Sequence, residues 1–208
     1  MTNILIIDSA ATGEASVSRR LTGELEAILR GRGPVRIVRR DVGTHPVPHL
    51  TAETTPAIRG AEALTDAARE AVALSDALVA ELKAADIVVI GAPMYNFGIP
   101  STLKAWFDHV LRAGITFRYS EAGPEGLLKG RKAIVVESRG GLYSEGPAAV
   151  MDSQEPHLRT LLGFIGLDDI SFVRAEKLGF GPDSAAASIA QAVEELRSLA
   201  AEELPLAA

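Results

Sequence analysis

The chain has 208 residues and a formal net charge of −6, with 47% hydrophobic and 23% charged residues. Those proportions fit one soluble globular domain long enough to bury a substantial core, and the acidic balance argues against general nucleic-acid binding. Cysteine is absent, which excludes disulfides, thiolate catalysis and cysteine-ligated zinc or iron–sulfur sites.

Met1-Thr2-Asn3-Ile4 shows neither a basic stretch nor the start of a long apolar core, so no signal peptide is expected. No apolar run reaches the length of a membrane span, and the expected location is the cytoplasm. Ile4-Leu5-Ile6-Ile7 is a continuous aliphatic run and reads as a central strand buried on both faces. A helix is expected over 16–32, with Leu21, Leu25, Ile28 and Leu29 on one face and Gly33-Pro34 as its stop. Residues 35–41 alternate apolar and basic side chains, as a half-covered or edge strand would. Residues 44–60 hold Pro46, Pro48 and Pro56 and are too long for a turn. A long helix over 65–83 follows, with Leu74, Leu78 and Leu82 at helical spacing.

Asp86-Ile87-Val88-Val89-Ile90 is the next buried strand. It feeds the segment Gly91-Ala92-Pro93-Met94-Tyr95-Asn96-Phe97-Gly98-Ile99-Pro100, and a helix is expected over 101–112. Residues 113–130 form a second long excursion, where Phe117 and Tyr119 are candidates for lining a substrate pocket. A strand over 133–136 runs into Glu137-Ser138-Arg139-Gly140-Gly141-Leu142-Tyr143. A helix over 155–165, a strand over 170–173 and a closing helix over 184–202 complete the chain.

Five strand candidates alternate with five helix candidates. That pattern predicts an α/β fold, one parallel sheet with helices on both faces, in a single domain over 1–208. Right-handed crossovers favour the strand order 2-1-3-4-5, with a crevice between strands 1 and 3. The segments after strands 1, 3 and 4 then meet at one edge. In the first, the hydroxyls of Ser9, Thr12, Ser16 and Ser18 gather at a helix N-terminus, where free N–H groups and the helix dipole suit an anion such as a phosphate monoester. Ser16 or Ser18 also suits a plain N-cap. In the second, Met94, Tyr95 and Phe97 surround the two-way amide of Asn96, a mixture suited to a flat heteroaromatic ring. In the third, Ser138-Arg139-Gly140-Gly141 lets backbone N–H groups approach a ligand closely. Neither a triphosphate P-loop motif nor a dinucleotide fingerprint is present. A phosphate site beside a flat-ring site describes flavin mononucleotide, FMN, whose redox chemistry the protein would orient and tune.

These segments resemble the FMN-dependent NADH azoreductases of bacteria, within the flavodoxin-like NAD(P)H:quinone oxidoreductase group. Ala92-Pro93-Met94-Tyr95-Asn96-Phe97 looks like the family's flavin-ring loop, Ser16-Val17-Ser18 like its phosphate segment, and Ser138-Arg139-Gly140-Gly141 like its S-R-G-G loop. Leu103-Lys104-Ala105-Trp106-Phe107-Asp108, Gly114-Ile115-Thr116-Phe117-Arg118-Tyr119 and Gly163-Phe164-Ile165-Gly166 are also similar to family segments, so the resemblance covers nearly the whole chain. It implies a flavodoxin-like fold and a homodimer with one FMN per subunit and active sites at the interface. It further implies ping-pong, two-electron reduction of quinones and azo compounds by NADH or NADPH. The hydride passes through the flavin N5, so no catalytic side chain is assigned. Ser9, Ser16, Val17, Ser18, Met94, Tyr95, Asn96, Phe97, Ser138, Arg139, Gly140 and Gly141 are the implied cofactor residues. Tyr143 stands where members vary, and it is a candidate for covering the ring or donating a proton to a quinone oxygen. Many members carry serine where this chain has Ala10.

His45 and His49 are separated by two prolines, so no metal site is expected there. Two other functions suit such a fold. One is a single-electron carrier, for which the charge of −6 is spread along the chain rather than gathered as an acidic rim. The other is a regulatory protein with a vestigial pocket.

Overall fold

The computed structural model describes residues 1–203, and positions 204–208 of the expected domain lie outside the described residues. The chain begins with β1 (Thr2–Asp8), α1 (Val17–Arg32) and β2 (Val35–Asp41). It continues through α2 (Thr54–Ile58), α3 (Asp66–Ala84), β3 (Ile87–Pro93) and α4 (Ser101–Val110). A hairpin of β4 (Phe117–Ser120) and β5 (Gly123–Gly126) precedes β6 (Lys132–Ser138), α5 (Glu155–Phe164), β7 (Asp169–Ala175) and α6 (Pro182–Glu203).

The main sheet has the order β2-β1-β3-β6-β7, all parallel. Its numbering departs from the expected 2-1-3-4-5 because two hairpin strands intervene in the chain; they pair only with each other, antiparallel. The continuous aliphatic runs of β1, β3 and β6 are central strands, and the alternating run of β2 is an edge. Successive strand residues point to opposite faces, so each run feeds two cores. Leu5, Ile7, Val88, Ile90, Ala133 and Val135 pack with Leu78 and Leu82 of α3, Trp106 and Phe107 of α4, and Leu158 and Leu162 of α5. Ile4, Ile6, Val89, Ile134 and Val136 pack with Leu21, Leu25 and Leu29 of α1 and with Leu196 of α6. Burying each such side chain contributes about 1.5–3 kcal/mol, which is why the two apolar faces decide the register.

Start and stop signals explain the helix limits. Ser16 and Thr65 cap α1 and α3, each accepting a backbone N–H with its side-chain oxygen. The segment 44–60 contains the short α2 and is tied down by His109, which is buried rather than solvated. Its Nε2 donates to the Pro48 carbonyl oxygen at 3.0 Å, and burial pushes the imidazole below its ordinary value.

The turn after β2 fixes the path of the segment after β1. The Val42 N–H donates to the Asp8 carbonyl oxygen at 2.8 Å. A Cβ on Gly43 would lie 2.2 Å from the Ala10 carbonyl oxygen, so only glycine lets the two turns pack. Gly43→Ala should therefore lower the unfolding free energy by about 1–3 kcal/mol. A urea titration reads this as an earlier midpoint at unchanged slope, and wild-type stability would show that the two turns separate freely.

Candidate active site

Because β1, β3 and β6 are parallel neighbours, the segments after them leave from one edge of the sheet. Hydrogen bonds join these segments to one another. The Ala11 N–H donates to the Tyr95 hydroxyl oxygen at 3.1 Å. The Thr102 hydroxyl donates to the Ser9 carbonyl oxygen at 3.3 Å. The Met94 N–H donates to the Ser138 carbonyl oxygen at 2.9 Å, and the Ser153 N–H to the Phe97 carbonyl oxygen at 3.0 Å. The three segments singled out in the sequence do converge.

In the first segment, the Ser16 hydroxyl accepts from the Arg19 N–H at 3.4 Å and lies 3.0 Å from the Ser18 hydroxyl. Ser16 is thus a helix cap and part of a hydroxyl pair at once. Val17 is the first helical residue, and the first-turn N–H groups have no acceptor within their own helix. Two hydroxyls, backbone donors and the positive end of the helix dipole match a phosphate monoester. Ser9 has a different task. Its hydroxyl donates to the Gly91 carbonyl oxygen at 2.7 Å, which fastens the end of β1 to β3. Thr12 is exposed, and Ala10 is buried.

In the second segment, Tyr95 and Gly98 exchange backbone hydrogen bonds at 3.0 and 3.1 Å around Asn96 and Phe97. Both central residues have positive φ, +47° and +72°. This is a type I′ turn, which usually places glycine where Phe97 stands. Holding a bulky residue there costs about 1–2 kcal/mol. The Ser153 N–H and the edge-on ring of Tyr143, 5.9 Å from the Phe97 ring centre, hold the turn in place. Phe97 is nonetheless 40% exposed and Asn96 is exposed, while Met94 and Tyr95 are half-buried.

In the third segment, Gly140 has open space where a side chain would begin, whereas a Cβ on Gly141 would meet the Tyr143 ring at 2.9 Å. Their carbonyl oxygens face the turn after β7, accepting from the Gly179 and Lys177 N–H groups at 2.9 and 2.8 Å. Ser138 is buried at the end of β6. Arg139 corrects an expectation. Its side chain is fully buried and turned away from the glycine pair, donating to Glu137, Glu176 and Gln154 at 2.7, 3.3 and 3.1 Å. Its backbone is also engaged, with the N–H on the Ala175 carbonyl oxygen at 2.9 Å. Arg139 supports the site rather than facing a ligand. Glu176 completes that support by accepting the Tyr143 and Ser144 N–H groups at 2.8 and 3.1 Å. Burial pushes its carboxyl up, but the hydrogen bonds from Ser144 and Tyr143 and the charge of Arg139 outweigh burial and hold it below its ordinary value.

Tyr143 stands with the converging segments, but Phe117 and Tyr119 do not. Phe117 is buried against Phe164, with ring centres 4.5 Å apart, at the end of α5 remote from these segments. The hairpin packs there too, with the Leu128 N–H on the Ile165 carbonyl oxygen at 2.9 Å. Tyr119 is 73% exposed on that hairpin. Several contributors have no motif in the sequence: Ala11 through its backbone, Thr102, Ser153, Gln154 and Glu176. Asp152 had a signal, since Asp152, Glu155 and Pro156 form a helix-start pattern, and its Oδ1 accepts the Gln154 and Glu155 N–H groups at 2.8 and 3.1 Å.

Residues 2–200 match the family model described as a flavodoxin-like fold, which defines the class of protein. Over 201 residues the chain is 54% identical to an FMN-dependent NADH:quinone oxidoreductase of Hyphomonas neptunium, covering 96% of both chains. It is 50% identical to the protein of the same name from Rhizobium meliloti, covering 91% of this chain and 92% of that one. The chain belongs to the flavodoxin-like FMN-dependent NADH:quinone oxidoreductase family. Among solved structures, an azoreductase from Bacillus anthracis superposes with a TM-score of 0.87 at 30% identity, covering 96% of this chain and 99% of that one. An FMN-dependent NADH-azoreductase from Bacillus anthracis, solved in complex with FMN, gives a TM-score of 0.87 at 26% identity, covering 97% and 98%.

Tyr95→Phe removes the hydroxyl that joins the first two segments. Stability should fall by about 0.5–1.5 kcal/mol, and the Ala11 amide should exchange with deuterium faster. Unchanged exchange at Ala11 would mean that the bond does not link the segments in solution.

Proposed function

We propose that this chain is an FMN-dependent NAD(P)H oxidoreductase that reduces quinones by two electrons and cleaves aromatic azo compounds to amines. The observation that carries the proposal is the convergence of three segments, which hold a paired-serine helix start, a strained aromatic turn and a glycine pair, with the Ala11–Tyr95 and Met94–Ser138 hydrogen bonds joining each segment to the next. The family membership supports it. When bound, the flavin supplies the hydride chemistry at its N5. The chain's own residues bind, orient and exclude water. Ser16, Val17 and Ser18 hold the phosphate through hydroxyls and first-turn N–H groups. Met94, Tyr95, Asn96 and Phe97 set the edge and one face of the ring, with the Asn96 amide offering both a donor and an acceptor. Backbone N–H groups at Gly140 and Gly141 favour negative charge on the ring. Tyr143, whose ring meets that of Phe97, covers the flavin ring or offers a proton to a quinone oxygen in this reading.

The functional unit in this proposal is a cytoplasmic homodimer of one FMN-binding domain, spanning 1–208, with the sites at the subunit interface. Exposed apolar side chains at Tyr119, Val150 and Phe180 supply surface for such an interface. Tyr119, remote from its own subunit's site segments, is then available to a partner. Among the described residues no helix is long and apolar enough to cross a membrane.

Purified protein should be yellow, should bleach on anaerobic addition of NADH, and should recover colour with a quinone. Protein that stays colourless with added FMN and oxidises neither nucleotide would refute the proposal. Sedimentation should give twice the chain mass, and a monomer with full turnover would remove the dimer from it. Ser16→Ala with Ser18→Ala should weaken FMN binding by about 1–3 kcal/mol per hydroxyl. Denaturation of the apoprotein separates this from the loss of the Ser16 cap, which costs about 1 kcal/mol. Unchanged FMN affinity in the double variant would move the phosphate elsewhere.

A further inference from the structure

Strand β6 extends its apolar run with a charged residue on a core face. Ala133 and Val135 pack on the side covered by α3, α4 and α5, and alternation places Glu137 on that side. Glu137 is fully buried, and its Oε1 has no hydrogen-bond partner. Its Oε2 accepts from Arg139 Nη2 at 2.7 Å and lies 3.6 Å from Arg174 Nε. The charged groups that face it are Arg139 at the end of β6, Arg174 of β7 and Glu155 of α5. Asp152 and Glu176 share Arg139 with it, at 3.1 and 3.3 Å.

Arg139 carries the influence of that carboxyl in two directions. Its Nε donates to Gln154 Oε1 at 3.1 Å, and Gln154 Nε2 donates to the Ala92 carbonyl oxygen at 2.8 Å, just before the aromatic turn. The neighbouring Ser153 N–H holds the Phe97 carbonyl oxygen at 3.0 Å. In the other direction, Nη1 donates to Glu176 Oε1 at 3.3 Å, the oxygen that accepts the Tyr143 and Ser144 N–H groups. One guanidinium therefore ties Glu137 to both walls of the site.

We propose that Glu137 is a positioning residue whose protonation sets, through Arg139, how firmly Tyr143 and the Phe97 turn are held against the ligand. The effect on FMN rests on the site proposed above. An ionised Glu137 holds Arg139 as a charge pair. A neutral Glu137 loosens that anchor, so Arg139 can shift among Glu176, Asp152 and Gln154, and Glu176 passes the slack to Tyr143, which then holds the ligand less firmly. Burial pushes the Glu137 carboxyl up to about 7, against the opposing charges of Arg139 and Arg174 and with Glu155 adding to the rise. Both forms are then populated near neutrality. The sign follows from linkage. The stability contributed by the raised value is complete below the ordinary glutamate range and is lost as the pH rises through about 7.

The test places 4-fluorophenylalanine, whose ring does not titrate, at position 143 and follows its fluorine resonance from about pH 5.5 to about pH 8.5 with Glu137 present and in Glu137→Gln. Glutamine keeps the shape and an acceptor for Arg139 but removes the titration. The wild-type resonance should shift with one midpoint near neutrality, and that shift should vanish in Glu137→Gln. FMN dissociation constants measured on the same samples should be alike at the acid end, where residue 137 is neutral in both. At the alkaline end the wild type should bind at least about threefold more tightly. The ionisation of the FMN phosphate, near about pH 6, is common to both proteins and cancels in the ratio. A wild-type resonance that does not move, or one that moves equally in Glu137→Gln, overturns the positioning of Tyr143. An affinity ratio that stays constant with pH overturns the link to FMN. If FMN binds neither protein while the resonance titrates, the proposed function fails and the positioning of Tyr143 stands. If Glu137→Gln does not fold, Glu137→Met, which fills the same core position without a titrating group, supplies the comparison, and a resonance that moves equally in it overturns the positioning of Tyr143.

Discussion

The structure depends on one buried cation. Arg139 is fully enclosed, and an enclosed guanidinium is tolerable only when its donors are satisfied by well-placed acceptors. Glu137, Glu176, Asp152 and Gln154 supply them from β6, from the turn after β7 and from the approach to α5. Because these acceptors come from different parts of the chain, satisfying the charge fixes their relative positions. A lysine could not replace it, since a single ammonium cannot span the same fork of partners. The glycine pair and the aromatic turn therefore sit on a polar clamp rather than on apolar packing alone.

The clamp acts at an edge that the sheet order has already defined. β1, β3 and β6 stand side by side, so the segments after them have no choice but to meet. Close backbone approaches tighten that meeting. A side chain at Gly91 would come within 3.1 Å of Asp8 Oδ1, so a larger residue there would crowd the buried carboxylate bound by Thr22. Register matters as well. Ala92 pairs with Glu137 and Pro93 with Ser138, which brings the aromatic turn and the glycine pair out of the sheet at the same level.

Much of this was legible in the sequence because the fold is built from long apolar runs. β1, β3 and β6 are buried on both faces and read as unbroken aliphatic strings, and α1 is bracketed by Ser16 and Gly33 while α3 starts at Thr65. The hairpin was not legible. Its strands are short, and Gly123-Pro124-Glu125-Gly126 has neither alternation nor strong strand formers. The candidate site was legible where chemistry is concentrated in neighbours, as in Met94-Tyr95-Asn96-Phe97. It was not legible where a residue acts by long-range pairing. Arg139 sits within a familiar motif and so reads as a ligand contact, whereas its partners Gln154 and Glu176 lie 15 and 37 positions away. Tyr119 shows the converse limit: an aromatic in a long excursion looks like lining of its own subunit's pocket, yet its location depends on how the hairpin docks. Glu137 did leave a trace, a charge extending Ile134-Val135-Val136, but only the packing reveals that α5 closes over it.

The residues around the edge divide by energy as well as by position. The supporting groups are buried and, Glu137 Oε1 apart, hydrogen-bonded, so they hold their places without any ligand. The facing groups do not. Phe97 holds a left-handed backbone that disfavours its side chain, and it leaves much of an aromatic ring in water. Either feature alone raises the free energy of the free protein. Both persist because Ser153, Tyr143 and the turn's own hydrogen bonds over-determine the conformation. A flat ligand that covers the exposed ring recovers the hydration cost without first paying to order the turn. Pre-organisation of that kind lets affinity come from contact rather than from rearrangement. It also explains why the support beneath the turn is polar and directional: apolar packing would tolerate a shift of the turn that a network of hydrogen bonds to one guanidinium does not.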